Sequence, residues 1–408
     1  MSHPTTTTTT PPIAIIGAGP CGLTLARLLE RTRVPYVAFE RDASLSLSPS
    51  ANGNHNNKGG TLDIHAGTGQ AALDADRPEI DRRQLRGLLL DSVPAGRVRW
   101  GKALRAVGRA DSAGVVLRFA DGSSETGFRL IVGADGAWSK VRPLLTSAKP
   151  HHSGKTSIKG RLTPSNPQYA AARELAGAGT ATAMGAGRLL VVQQMGDRTY
   201  RIYAGFEERK EKEKEKEGTA GSLLAKIDFA ADAEASRAAL LDLFADWAPH
   251  LRAFIEAAEG PWRVWPLYTF SPEVFSSKAD GDADGDGNGD EKKTWTRAPG
   301  VALLGDAAHL GLPNGEGVNI AMVDALRLFE CLSAELGFRR EHEDEDENGE
   351  PRSGPKRAIL DARADAAAVE RAIVAYETPM RERAREHVED GIATNDMIYH
   401  SPLELARG

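Results

Sequence analysis

The sequence has few cysteines, few aromatic residues and no long apolar run. Only Cys21 and Cys331 stand among 408 residues, which excludes a disulfide scaffold and is typical of a reducing compartment. We therefore expect a cytoplasmic protein. No apolar run approaches the roughly 20 residues of a membrane-spanning helix. Residues 1–11 form a threonine tract without the pattern of a signal peptide, so we expect a disordered tail and no membrane partner.

Excess charge of one sign is also missing from most of the chain. The formal net charge is −6, and stretches 207–218, 278–293 and 341–357 contain the acidic excess. The remainder is close to neutral, which gives no reason to expect a nucleic-acid partner. Residues 280–291 formally fit a calcium-loop pattern, but Gly287 stands where that loop has an apolar residue. We interpret this Asp-Gly repeat as a solvated linker and expect no metal site.

The first informative segment begins at Ile13. Ile13–Ile16 is a short apolar run typical of a buried parallel strand, and Gly17-Ala18-Gly19-Pro20-Cys21-Gly22 follows it before a helical pattern. A second strand ends at Glu40, 23 residues beyond Gly17. The glycines permit a tight turn close to a pyrophosphate, and the acidic residue would bind the adenosine ribose. The segment predicts an adenine dinucleotide site, without deciding between NAD and FAD.

Two later motifs favour FAD. Gly133-Ala134-Asp135-Gly136-Ala137-Trp138-Ser139-Lys140-Val141-Arg142 follows one predicted strand, and Gly305-Asp306-Ala307-Ala308-His309 follows another, shortly before Gly315-Glu316-Gly317-Val318-Asn319. In these motifs and their order, the sequence resembles the single-component FAD-dependent monooxygenases of the para-hydroxybenzoate hydroxylase type. Segments 59–65 and 79–86 look like the tetracycline-inactivating branch of that family and its fungal relatives.

The resemblance implies an α/β fold. We expect a Rossmann-like FAD-binding domain with an inserted β-sheet substrate domain and a C-terminal helix. The expected segments are a tail at 1–11, FAD-binding parts at 12–150 and 299–337, a substrate domain at 151–298 with charged loops 207–218 and 278–293, an acidic linker at 338–357, and a C-terminal helical segment at 358–408. Apolar periodicity itself predicts helices over 82–90, 240–258, 317–336 and 358–393, and a hairpin of strands 188–194 and 199–206.

The resemblance also implies the roles of individual residues at the cofactor. Asp306 would accept hydrogen bonds from the ribityl chain, and Arg82 or Arg86 would reach the ribityl–phosphate region. Asp135 and Gly136 would lie near the pyrophosphate and the path of the reducing nucleotide. The full set expected to bind the cofactor is Gly17, Gly19, Gly22, Glu40, Arg41, Gly60, Arg82, Arg86, Asp135, Gly136, Asp306, Gly317, Val318 and Asn319.

The activity implied by the resemblance needs no catalytic side chain, because the flavin carries the chemistry. NAD(P)H, most simply NADPH, would reduce FAD, and O₂ would oxygenate an aromatic or polycyclic small molecule through a flavin hydroperoxide. Such a reaction belongs to secondary-metabolite biosynthesis or drug inactivation. We interpret His309 as a packed residue rather than a base. Gln193, Arg201 and Tyr203 lie on the predicted hairpin and are candidates for binding the substrate.

Two alternatives remain open at this stage, and we expect a monomer under each of them. One is a flavin dehydrogenase or reductase on the same scaffold. The other is an inactive flavin-binding paralogue, which is suggested by segment 71–78 because the family carries a much longer segment there.

Overall fold

The structure, a computed structural model, describes residues 10–44, 61–63, 79–110, 114–208, 232–276, 295–338, 362–402 and 404–407. Several expectations fall outside these ranges. They concern residues 1–9 of the tail, Gly60, segment 71–78, and the charged stretches 209–218, 278–293 and 341–357. Among the described helices, none is long and apolar enough to cross a bilayer.

The described elements alternate between strands and helices in the first third of the chain and then become mainly antiparallel. The strands are β1 (Ile13–Ile16), β2 (Tyr36–Phe39), β3 (Thr61–Asp63), β4 (Glu79–Asp81), β5 (Val98–Arg99), β6 (Leu104–Ala110), β7 (Gly114–Phe119), β8 (Ser124–Glu125), β9 (Leu130–Gly133), β10 (His151–Leu162), β11 (Thr180–Gly185), β12 (Arg188–Gln194), β13 (Tyr200–Glu207), β14 (Glu259–Thr269), β15 (Val301–Leu303) and β16 (Glu404–Arg407). The helices are α1 (Pro20–Arg31), α2 (Arg82–Asp91), α3 (Tyr169–Ala176), α4 (Ala233–Leu243), α5 (Pro249–Ala257), α6 (Asp306–His309), α7 (Gly317–Leu336) and α8 (Ala362–His400).

A parallel sheet forms the centre of the first unit. Its strand order is β15-β9-β1-β2-β5, and every neighbouring pair is parallel. The strands β1, β2, β9 and β15 are buried along their whole length, which explains why they read as continuous apolar runs. Helices α1 and α7 contribute Leu25 and Met322 to the same core. The predicted mixed fold with a Rossmann-like sheet is confirmed.

The second sheet has six strands in the order β14-β10-β13-β12-β11-β16, and its pairs are antiparallel. One face packs on α3, α4 and α5, where Ile202 and Trp262 join Phe254 in a second core. Because side chains alternate along a strand, the residues between these core positions lie on the opposite face. We call this opposite face of β10, β12, β13 and β14 the open face.

The C-terminal helix α8 connects the two sheets. Near its middle, Tyr376 donates a hydrogen bond to the carbonyl oxygen of Leu303 in the parallel sheet, at 2.9 Å. Near its end, Asp396 accepts one from Lys155 of β10, at 2.9 Å. The strand β16 that follows then pairs with β11 at the edge of the second sheet. This helix therefore holds the two sheets in a fixed relation.

The prediction of one helix over 240–258 is wrong. Two helices, α4 and α5, occupy this region, with a turn between Leu243 and Pro249. The break has a local cause, because proline cannot donate the hydrogen bond that a helix interior requires but fits the first helical turn. Trp247 lies in this turn and is 3% exposed, so the turn places it in the core. The hairpin strand 188–194 and the helix 317–336 have the predicted bounds.

Candidate cofactor and substrate site

The three sequence motifs meet at one edge of the parallel sheet. They follow β1, β9 and β15, which are adjacent and parallel, so that their carboxyl ends share an edge. A Cβ on Gly17 would come within 2.3 Å of the carbonyl oxygen of Ala134 in the second motif. A Cβ on Gly305, in the third motif, would lie 3.5 Å from the sulfur of Cys21. In open α/β sheets this edge is where ligands bind.

The glycine loop leaves room for an anion where α1 begins. Gly22 is required by packing, because a Cβ there would lie 2.0 Å from the Gly17 carbonyl oxygen. Gly19 differs, since no described atom lies within 4 Å of the position its Cβ would take. Gly19 is also the N-cap of α1, and no described side chain caps this helix end. The free N–H groups and positive partial charge of the first turn therefore fit the pyrophosphate of FAD.

Glu40 and Arg86 fix the shape of this loop. The Glu40 side chain is buried, and its two oxygens accept hydrogen bonds from the N–H groups of Ala18, at 2.8 Å, and Asp42, at 3.0 Å. Arg86, on α2, donates to the Ala18 carbonyl oxygen at 2.8 Å and pairs with Glu40 at 3.2 Å. A carboxylate has about four lone-pair positions, so Glu40 can still accept from a ribose hydroxyl. Its neighbour Arg41 is exposed.

The second motif is joined to the third by Arg142. This buried side chain donates to the carbonyl oxygens of Ala137, at 2.7 Å, and Ala307, at 3.1 Å. Asp135 accepts from the Lys140 N–H at 2.7 Å, and burial raises the pKa of Asp135. Gly136 has φ of +78°, with no described atom within 4 Å of a Cβ. Sequence reasoning included Arg142 in the motif but assigned it no role.

The third motif presents Asp306 to solvent at the sheet edge. Asp306 is exposed and is the first residue of α6, whose N-cap is Gly305. Helix α7 then starts at Gly317, where a Cβ would meet no described atom within 4 Å. The next two residues, Val318 and Asn319, are buried. Together, an exposed carboxylate and a helix N-terminus border the same edge as the glycine loop.

A buried ion pair lies behind this third motif. His309 Nε2 is 2.5 Å from a carboxylate oxygen of Asp324, on α7, and the same oxygen accepts from the Gly305 N–H at 3.0 Å. Arg383, on α8, donates to the other oxygen at 3.3 Å. Burial opposes the charge on both groups, but their mutual attraction outweighs it, so the pKa of His309 is raised and that of Asp324 is lowered. His309 is a packed residue, as interpreted from the sequence.

The three candidate substrate residues lie together on the open face. Tyr203 donates a hydrogen bond to the Gln193 side chain at 3.3 Å, and Arg201 stands opposite Gln193 in the strand register. Sequence reasoning missed Lys159 and Trp265 on the neighbouring strands β10 and β14. The Lys159 ammonium lies 3.8 Å from the centroid of the Trp265 ring. The register that assembles this face is set by tertiary pairing, which leaves no local signal.

Helix α2 brings the two halves of the site together. A Cβ on Gly196, in the β12–β13 turn, would lie 3.2 Å from the Gln84 side chain of α2. Arg82, the first residue of α2, acts electrostatically on both Lys159 and Tyr203. The Arg82 Nε is buried and has no hydrogen-bond partner among the described residues. Four residues later, Arg86 reaches the glycine loop, so this one helix contacts that loop and, through Gln84, the β12–β13 turn of the second sheet.

Comparison with known proteins identifies the family. No family model matches the chain. The monooxygenase penA of Penicillium thymicola is 30% identical over 391 aligned positions, which cover 78% of this chain and 84% of the relative. HpxO of Klebsiella pneumoniae, solved with FAD and uric acid, has the same fold, with a TM-score of 0.60 and 21% identity over 95% of this chain and 89% of that one. Tetracycline destructase Tet(51) also shares the fold, with a TM-score of 0.56 and 16% identity over 95% and 92% of the two chains.

These likenesses agree with the order of the three motifs and with the open space at Gly19, which fits the pyrophosphate of FAD. The chain belongs to the FAD-dependent monooxygenases of the para-hydroxybenzoate hydroxylase type.

Proposed function

We propose that this monooxygenase uses NADPH and O₂ to oxygenate an aromatic or polycyclic small molecule on the open face. The observation that carries the proposal is the position of α2, which contacts the glycine loop through Arg86 and the β12–β13 turn through Gln84. From the same helix, Arg82 acts electrostatically on Lys159 and Tyr203. An FAD bound along the sheet edge would have the open face as its neighbour. The likeness to tetracycline destructase Tet(51) supports a role in drug inactivation, and secondary-metabolite biosynthesis is the other role that we propose.

The chain's own residues would hold the cofactor in a defined orientation. The N–H groups at the start of α1, with Gly17, Gly19 and Gly22, would bind the pyrophosphate, and Glu40, with Arg41 beside it, would bind the ribose. Asp306 would accept from the ribityl hydroxyls. Arg82 or Arg86 would reach the ribityl–phosphate region, and Asp135 with Gly136 would lie near the pyrophosphate. The α7 N-terminus, at Gly317, Val318 and Asn319, would stabilise negative charge near the flavin ring. When bound, FAD supplies the redox chemistry.

On the substrate side, the residues would bind and orient rather than react. Gln193, Arg201 and Tyr203 offer polar groups on a sheet whose other face is packed in a core, so their positions are held rigidly. A substrate that covers the open face would also exclude water from the reacting atoms. We propose that the enzyme acts as a monomer in the cytoplasm. The described free thiols of Cys21 and Cys331 are consistent with that compartment.

The proposal is tested by following NADPH oxidation across a panel of aromatic and polycyclic compounds under ¹⁸O₂. A compound that accelerates NADPH oxidation and gains one labelled oxygen atom would support it. NADH in a parallel assay decides which nucleotide is the reductant. Accelerated oxidation with no label in any product would contradict oxygenation and favour a flavin reductase.

A further inference from the structure

The loop of residues 310–316, which joins α6 to α7, has little backbone hydrogen bonding of its own. Among the described residues, no backbone-to-backbone hydrogen bond reaches the stretch from Gly311 to Gly315. Gly315 has φ of +89°, a conformation that favours glycine, and α7 begins two residues later at Gly317. A segment with few backbone hydrogen bonds opens easily unless other groups fix it. The position of the α7 N-terminus therefore depends on what this loop contacts.

Helix α8 supplies hydrogen bonds that fix the loop. Asn395 donates to the Pro313 carbonyl oxygen at 2.8 Å. Asp390 accepts from the Asn314 side-chain nitrogen, also at 2.8 Å. The side-chain oxygen of Asn314 in turn accepts from the N–H of Glu316 at 3.1 Å, and Glu316 is the N-cap of α7. Through Asn314, α8 is therefore connected to the residue at which α7 starts.

The loop also packs closely against one side of α8. A Cβ on Gly391 would come within 2.9 Å of the Leu312 carbonyl oxygen. A Cβ on Gly311 would come within 2.8 Å of His387 Nε2. His387, Gly391 and Asn395 are each four residues apart, a spacing that places them on the same side of a helix. The backbone of the loop and this side of α8 are thus in direct contact.

This side of α8 differs from the earlier part of the helix. Ile373 and Met380 are buried in the apolar core of the first unit. Facing the loop, the buried side chains are instead Asn395 and His387, which are 3% and 6% exposed. Burying a polar group costs free energy unless it is hydrogen-bonded, and Asn395 meets this requirement only when the Pro313 carbonyl lies at one distance and angle. Apolar contacts have no such directional requirement, so the polar side chains define the position of the loop.

We propose that Asp390 and Asn395 are positioning residues that hold loop 310–316, and with it the α7 N-terminus, beside the flavin ring. The positive end of a helix stabilises negative charge only near its first turn, so a small displacement of α7 weakens the effect. Negative charge develops on the flavin ring on reduction, and the two residues would therefore raise the reduction potential of bound FAD. This inference rests on the proposed function, which places the α7 N-terminus near that ring.

The test measures amide hydrogen exchange of residues 311–316 in the FAD-free protein and the reduction potential of bound FAD. Asn395→Leu removes a neutral donor and keeps a side chain of similar size. It should speed exchange of these amides by about fivefold, as expected for the loss of one hydrogen bond. It should lower the preference for reduced over oxidised flavin by about twofold to fivefold, which for a two-electron couple lowers the potential by about 10–20 mV.

Asp390 requires two variants, because losing its negative charge would by itself raise the potential. Asp390→Asn removes the charge but keeps an oxygen that can accept from Asn314, whereas Asp390→Ala removes both. The potential of Asp390→Ala should lie about 10–20 mV below that of Asp390→Asn. Asp390 is exposed, so this comparison stands even where Asn395→Leu fails to fold. Glu389→Ala is the matched control, because Glu389 is also exposed and pairs with Arg385 at 2.8 Å instead of the loop.

Two results would overturn the inference. Exchange as slow in Asn395→Leu and Asp390→Ala as in the parent would show that α8 does not hold the loop. Faster exchange with equal potentials in Asp390→Ala and Asp390→Asn would show that the loop does not position α7 for the flavin. Flavin content should stay at the parent level, because the pyrophosphate would bind at the glycine loop. Labelled-oxygen incorporation is measured on the same preparations, and potentials that shift as expected in an enzyme that incorporates no label would refute the proposed function alone.

Discussion

The edge of the parallel sheet where the three motifs meet, which we call the cofactor edge, and the open face of the second sheet are built in opposite ways. At the edge, two backbone segments pass so close to each other that a Cβ added to Gly17 would come within 2.3 Å of the Ala134 carbonyl oxygen. On the open face, the surface consists of side chains, and Lys159, Tyr203 and Trp265 come from three strands. The cofactor edge is defined by glycines, which have no side chain, and the open face is defined by the side chains of particular residues.

This difference determines what each site tolerates. A backbone cradle recognises a pyrophosphate that is the same in every FAD, so its sequence requirement is short and local. A side-chain surface recognises a substrate that differs between enzymes, and sheet residues can change there without altering the strands that hold them. We therefore expect changes at the edge to abolish cofactor binding and changes on the open face to alter ligand preference alone.

The largest effect should come from Gly22→Val. Its Cβ would lie 2.0 Å from the Gly17 carbonyl oxygen, and neither backbone can move without displacing β1 or α1. We expect the variant to lose about 3 kcal/mol or more of stability and to yield no flavin-bound protein. Gly87→Ala is the control, since a Cβ on Gly87 meets no described atom within 4 Å. Denaturant unfolding of both variants measures the difference, and parent-like stability in Gly22→Val would refute the packing argument.

Asp324→Asn should destabilise the protein by a similar amount, because it removes one partner of a buried ion pair, but it leaves the glycine loop unchanged. We expect a loss of about 3–5 kcal/mol. The raised pKa of His309 gives stability that is lost as pH rises above its folded value, and the lowered pKa of Asp324 gives stability that is lost on acidification. The gap between parent and variant should be widest between about pH 4 and 6.5.

A control for the His309–Asp324 ion pair lies on α7, the helix that contains Asp324. Glu330 makes an exposed ion pair with Arg327 at 2.6 Å, and Glu330→Gln should cost under about 1 kcal/mol. Melting curves across pH compare the two variants. A pH-independent gap for Asp324→Asn would show that the pair is not charged in the folded protein.

A smaller effect is expected from Asp306→Ala, which changes an exposed side chain at an edge otherwise made of backbone. Loss of a charge-assisted hydrogen bond to the ribityl chain costs about 1.5–3 kcal/mol, or about tenfold to a hundredfold in FAD affinity. Because Asp306 is exposed, the melting temperature of the FAD-free protein should not change. Quenching of flavin fluorescence measures the dissociation constant. An unchanged value would remove Asp306 from the cofactor site.

The sequence predicts the cofactor edge better than the open face. The residues of the glycine loop are close together along the chain, whereas those of the open face are far apart. The residues from Gly17 to Gly22 form one turn between consecutive elements, so their spacing alone indicates the geometry. Lys159 and Arg263 are brought together by strand pairing across about a hundred residues of chain, which no local pattern encodes. Asp324 lay within a predicted helix, but its partner His309 could not be known before the helix was placed.

The contrast between local and long-range signals also explains why the prediction of one helix over 240–258 was wrong. Apolar spacing favoured one helix over 240–258, and the turn before Pro249 is stabilised by burying Trp247 in the core of the second sheet. Four strands of the parallel sheet, β1, β2, β9 and β15, were predicted because burial on both faces makes them continuous apolar runs, whereas the two-residue strand β5 was not predicted.

The central claim is that the pyrophosphate of FAD lies in the open space at Gly19, and Gly19→Val tests it most directly. Gly19 has φ of −79°, which valine adopts without strain, and its Cβ would meet no described atom within 4 Å. The protein should therefore keep its circular dichroism spectrum and FAD-free melting temperature. The measurement is the flavin-to-protein ratio after incubation with FAD and gel filtration. We predict a ratio near zero for Gly19→Val beside a ratio near one for the parent, and equal ratios would contradict the account.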